Sequence, residues 1–113
     1  MAYDEHLANR FRSMLEGMEG ISEKRMMGGV CFLLDGNMIG GADRTKAGQG
    51  RFMFRVGKDN EAAGQALPGA MPMVQGGRRM RGLFFVAEED CTPEVMARWM
   101  ELALEFVATL PKK

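Results

Sequence analysis

A chain of 113 residues, 46% hydrophobic and 27% charged, has the size and balance of one globular domain, which excludes disorder and a multidomain chain. The formal net charge is zero at neutral pH, which excludes a strong whole-molecule field toward polyanions or polycations. No apolar run approaches the roughly 20 residues that span a bilayer, and Met1-Ala2-Tyr3-Asp4-Glu5 lacks the basic and apolar segments of a signal peptide. A cytoplasmic protein with no membrane contact is expected.

Leu7, Phe11, Met14, Leu15 and Met18 recur on one helical face, with Asp4 placed as N-cap and Gly20 as a stop, so the spacing predicts a helix over 4–18. Val30-Cys31-Phe32-Leu33-Leu34, the turn tripeptide Asp35-Gly36-Asn37 and Met38-Ile39 predict a hairpin. A third strand follows at Phe52-Met53-Phe54-Arg55-Val56, reached across a mobile loop at Thr45-Lys46-Ala47-Gly48-Gln49-Gly50. Asp59 to Leu67 predicts a short helix capped by Asp59, closed by Pro68-Gly69. Met71-Pro72-Met73-Val74 suits only an edge strand, because proline cannot donate to a ladder. After the Gly76-Gly77 turn, Met80 to Ala87 predicts the fifth strand. The last helix opens on Thr92-Pro93, is shut by Pro111, and carries the stripe Val95, Trp99, Leu102, Phe106 and Leu110.

The expected fold is therefore α+β: a two-layer, mostly antiparallel five-stranded sheet with helices on one face, in the order α-β-β-β-α-β-β-α, forming a single domain over residues 1–113. The strands are apolar on both faces. Period-two alternation places Cys31, Leu33, Met53, Phe84 and Val86 on the face away from the helices, where polar residues would normally stand, so a loop or a second copy of the chain is expected to cover it. A second apolar line on the last helix, Met96, Met100 and Val107, is the candidate homodimer face. The 12 methionines fit a tolerant core or an adaptable binding face.

Chemistry-bearing residues are sparse. His6 is the sole histidine and sits beside Asp4 and Glu5 on the polar side of the first helix, so no histidine dyad or His-rich metal site can be built in one chain. Cys31 lies in an apolar run and Cys91 follows Glu88-Glu89-Asp90; neither forms a CxxC pair, and no disulfide is expected. The serines and threonines lack a neighbouring general base. Gly28-Gly29 precedes a strand, where a phosphate loop needs a helix, so a bulge or close backbone approach is the better reading. No catalytic residue, cofactor or metal is assigned.

Charge is unevenly distributed along the chain. Residues 44–81 hold 8 basic and 2 acidic side chains, between flanks of net −3 on either side. Within that segment Arg78, Arg79 and Arg81 are the candidate phosphate or partner contacts. Aromatic interleaving and a recognition helix are both missing, so direct nucleic-acid binding is expected to be weak or absent.

The stretch Lys24-Arg25-Met26-Met27-Gly28-Gly29-Val30-Cys31-Phe32 resembles the opening signature of the TfoX N-terminal domain family. Arg55-Val56-Gly57, Leu67-Pro68-Gly69-Ala70, Pro72-Met73, Gly77-Arg78 and Met80-Arg81-Gly82 continue the resemblance, which runs from about Tyr3 to Leu110. The resemblance implies a secretion-chaperone-like arrangement of helices on an antiparallel sheet and brings no catalytic residues with it. Longer members pair this domain with a C-terminal helical domain and regulate natural competence genes in bacteria; 113 residues leave no room for that second domain. The expected function is a small, non-catalytic, bacterial regulatory or protein-interaction module with an unidentified protein partner. The alternatives are a nucleic-acid-associated regulator acting through 44–81, and a small-molecule binder or enzyme whose glycine-rich connections line a pocket.

Overall fold

In the computed structural model, which describes residues 4–26 and 28–113, the chain folds as α+β around one antiparallel sheet. Met1, Ala2, Tyr3 and Met27, which enter the leader and family readings above, lie outside the described residues. Helix α1 (Glu5–Ser13) leads into four consecutive strands, β1 (Ile21–Met26), β2 (Gly29–Leu34), β3 (Asn37–Arg44) and β4 (Gly50–Arg55). After the short helix α2 (Glu61–Gln65) come β5 (Met71–Gln75), β6 (Arg78–Ala87) and the long helix α3 (Pro93–Val107). The sheet order is β1-β2-β3-β4-β6-β5.

The sheet has six strands where the sequence pattern predicts five, and the order becomes α-β-β-β-β-α-β-β-α. The additional strand is β1, Ile21-Ser22-Glu23-Lys24-Arg25-Met26, whose residues after Ile21 are all exposed. An edge strand with charged side chains carries no apolar alternation to detect, and those charges protect its open edge from pairing with other chains. Its pairing with β2 runs from Ile21–Leu34 to Met26–Gly29.

Helix α1 ends at Ser13, short of the predicted residue 18, and Met18 is exposed. Its cap is the expected one: the Asp4 carboxylate accepts from the Leu7 N–H at 3.0 Å and from Arg44 Nε at 2.7 Å. Those hydrogen bonds hold the Asp4 carboxyl below its usual pKa, so their contribution to stability is present above that value and is lost as pH falls through the lowered one. Asp59 does not cap α2; a 3-10 turn over Lys58–Asn60 precedes that helix, whose N-cap is Asn60. The segment from Thr45 to Gly50 is a hairpin loop closed by Thr45 N–H to Gln49 O and Gly48 N–H to Thr45 O, each 2.9 Å.

The core lies between the helices and one face of the sheet. Phe11 of α1 stacks on Phe32 (ring centroids 4.7 Å apart) and Phe54 (5.6 Å). Trp99 of α3 stacks on Phe54 (5.5 Å) and meets Phe84 (5.2 Å). Helices can come this close because β3 is bare at its centre: a Cβ at Gly40 would collide with the Met53 carbonyl oxygen and crowd the Phe11 ring.

Helix α3 starts as expected, with the Thr92 hydroxyl accepting from the Val95 N–H and Pro93 in the first turn. Its buried face is Met96, Trp99, Met100, Ala103 and Val107, whereas Val95, Leu102 and Phe106 pack at its margin. Met96, Met100 and Val107 are 1%, 3% and 2% exposed, so they are core residues and present no dimer face. At about 100° per residue, the predicted stripe and this one differ by roughly 80° of rotation. Two adjacent apolar lines make an arc broad enough that periodicity alone does not select its centre. Truncating Met100 to alanine is expected to cost about 2–5 kcal/mol of stability in urea titrations, as for a core methionine; a change below about 0.5 kcal/mol would identify a surface residue instead.

Candidate functional site: the open face of the sheet

All three helices occupy one side of the sheet, which leaves the other side uncovered among the described residues. The uncovered side is apolar, as the strand sequences predict, but its composition differs. Cys31 and Met53 are there, joined by Leu83 and Phe85, whereas Phe84 and Val86 are fully buried in the core. Cross-strand register sets this assignment, because Phe54 faces Phe84 and Phe52 faces Val86, while Met53 faces Phe85. Alternation in Leu83-Phe84-Phe85-Val86 separates two pairs without indicating which is inward, since all four side chains are apolar.

The open face is hollow. A groove of about 340 Å³ runs across it from Met26 on β1 to Met73 and Gln75 on β5. Its floor lies at Gly41 of β3, which adds no side chain and whose Cβ position is filled by the Val30 carbonyl oxygen. Met26, Met38, Met53 and Met73 line it, so the methionines divide between the core and this surface. Unbranched thioether chains can repack around differently shaped apolar groups. One ion pair crosses the floor: Arg51 donates to Asp43 through Nε at 2.8 Å and Nη2 at 3.2 Å, with its guanidinium 3.8 Å from the Phe85 ring centroid.

The arginine cluster singled out in the sequence is divided by the fold. Arg79 turns toward the helix side, where it pairs with Glu61 of α2, donates to the Met80 carbonyl and sits 5.3 Å from the Phe84 ring. Arg78 stands opposite Gln75, a groove-lining residue, which places it on the open face. Arg81 is exposed. Gly82, with φ of 79°, kinks β6 just after these residues, so the alternation before it does not continue beyond it. Elsewhere in the basic segment Arg44 pairs with Asp4 and Glu88, and Arg51 with Asp43, so the concentration of positive charge seen along the chain is partly neutralised in space.

The remaining candidate groups do not converge. His6 is exposed on α1, and among the described residues no three His, Cys, Asp or Glu side chains are grouped to hold a metal ion. Gly29 makes a close backbone approach, its Cβ position crowded by the Ala42 carbonyl and by Asp43. Both cysteines are free and buried, Cys31 under the groove and Cys91 beneath α1, where its carbonyl accepts from Arg10. Burial pushes the Cys91 thiol up to about 11, with a further upward push from Asp90 and a downward one from Arg10. Burial also raises Cys31, against a lowering influence of Lys24. The acidic neighbours of Cys91 in sequence are thus secondary to its burial. At pH 7–8 neither thiol is appreciably ionised, so labelling by an aromatic disulfide reagent is expected to be slow in the native protein and immediate in denaturant. Rapid native labelling of Cys91 at pH 7 would contradict this arrangement.

No helix among the described residues is long and apolar enough to cross a membrane. No curated protein and no solved structure matches the chain at a significant level. The family model of the TfoX N-terminal domain matches residues 13–107, which contain the whole sheet, the groove and α3. The chain belongs to the TfoX N-terminal domain family.

Proposed function

We propose that this domain is a non-catalytic regulatory module that acts by binding another protein through the open face of its sheet. The observation that carries this reading is the groove: an apolar, methionine-lined hollow of about 340 Å³ on a face that no helix covers among the described residues. Apolar surface of this kind is costly in water and marks a place where other apolar groups are received. Family membership supports a regulatory role, in competence-associated control, because longer members that the chain resembles act there. Support for the non-catalytic reading is the dispersal of titratable groups: an exposed lone histidine and two buried thiols with raised pKa provide no activated nucleophile or base.

The reading is tested by placing a photo-crosslinking residue at Met53 in the groove and, separately, at exposed Ala97 on the back of α3. Irradiation in the native cell is expected to give a discrete protein adduct from position 53 and none from 97. The same adducts from both positions, or none from 53, would refute the assignment of the face.

A nucleic-acid role through residues 44–81 is the second reading, favoured by the exposed Arg78 and Arg81. Since Arg44, Arg51 and Arg79 are engaged by carboxylates, the expected outcome of a duplex titration at about 150 mM salt is weak binding without sequence preference, or none. Substituting Arg78, Arg79 and Arg81 by alanine should abolish any residual binding. Tight binding that favours one duplex sequence would make this reading the first.

A further inference from the structure

The open face has a charge as well as a shape. Cross-strand register places Lys24 opposite Cys31, Arg55 opposite Leu83 and Arg78 opposite Gln75, each beside a groove-lining residue. Lys24, Arg51 and Arg78 thus stand on the open face, and the carboxylate among the described groove-lining residues is Asp43, which Arg51 already engages. Lys24, Arg55 and Arg78 take part in no ion pair among the described residues. Arg55 begins on that face too, but its guanidinium donates to the Met38 carbonyl at 3.4 Å and lies 5.3 Å from the Phe106 ring of α3, which draws its charge toward the helix layer. The chain as a whole is neutral, so the excess of negative charge belongs to its other surfaces.

Lys24 and Arg78 flank the hollow. Lys24 is on the edge strand β1 and Arg78 on β6, four strands across from β1. At about 4.8 Å per strand that separation is roughly 19 Å along the sheet, wide enough for a helix about 10–12 Å in diameter to lie between the rims. We infer that the open face receives an acidic amphipathic segment of a partner protein, with apolar side chains in the methionine-lined groove and carboxylates on Lys24 and Arg78. This inference rests on the proposed function and specifies the chemistry of the partner. A second copy of the chain is a poorer occupant, because it would set the same cationic rim against its own. A nucleic-acid backbone is poorer still, since the floor offers methionine and phenylalanine side chains where phosphates would need donors.

Three fluorescent helical peptides of about 18 residues test this, sharing one leucine stripe and flanked by Glu, Gln or Lys, with binding to the full chain followed by anisotropy. The Glu-flanked peptide is expected to bind about tenfold more tightly than the Gln-flanked one, with the Lys-flanked peptide weakest, and the spread should shrink between about 50 and 300 mM salt. Lys24→Glu with Arg78→Glu, both exposed positions, should remove or reverse the order while circular dichroism stays unchanged. Met53→Arg should weaken all three peptides, and Met26→Arg, at an exposed groove position, serves the same purpose should the former fail to fold. Equal affinity for the three peptides would overturn the inference while leaving the protein-binding reading to the Met53 crosslink. Binding of none of them would overturn it as well. So would sedimentation showing a dimer that Lys24→Glu with Arg78→Glu alters, since a second copy would then be the occupant.

Discussion

Phe11 lies against Phe32 and Phe54, and Phe54 lies against Trp99, so one continuous aromatic stack ties both long helices to the same side of the sheet. Everything else about the molecule depends on that constraint. Every strand from β2 to β6 has apolar residues on both faces, so either face could have been buried. Stacking energy beyond simple area burial favours the face with the phenylalanines, because Phe11 of α1 and Trp99 of α3 find ring partners there. With both helices committed to that side, no helix among the described residues covers the opposite one.

The same commitment separates charge. Residues that face the helices find carboxylates there: Arg12 meets Glu23, Arg44 meets Asp4 and Glu88, and Arg79 meets Glu61. Among the described residues that line the groove the carboxylate is Asp43, which Arg51 takes. A chain with no net charge thus acquires a cationic, apolar face without any long basic run. Exposed charges contribute little to folding stability, so their placement on one face is free to serve recognition. Methionines around the hollow suit the same end, since they adapt to different apolar shapes at small cost.

Much of this is legible in the sequence. Thr92-Pro93 marked the start of the last helix, Asp4 marked the first, and Asp35-Gly36 marked the hairpin turn, because caps and turns are local chemistry. The apolar character of both sheet faces was legible too, as was the likeness to the TfoX N-terminal domain family. Strand β1 was not, because a charged edge strand has no hydrophobic period. The inward line of α3 was misplaced because Met96, Met100 and Val107 run beside Val95, Leu102 and Phe106, and both lines are apolar. No signal in either could have placed them without knowing the neighbours.

By itself, then, the sequence determined the α+β class, the starts of the first and last helices, the apolar strands and the family. These follow from backbone propensity, capping and periodicity, which act over a few residues. Only the tertiary structure decided which face of each strand is buried, that Phe84 and Val86 point inward and Leu83 and Phe85 outward, and that Arg78 and Arg79 part to opposite sides. Those outcomes depend on cross-strand register and on the kink at Gly82, and a shift of one residue in register exchanges the two faces of a strand. The groove and its cationic rim are properties of that register, assembled from residues as far apart in the chain as Lys24 and Phe85.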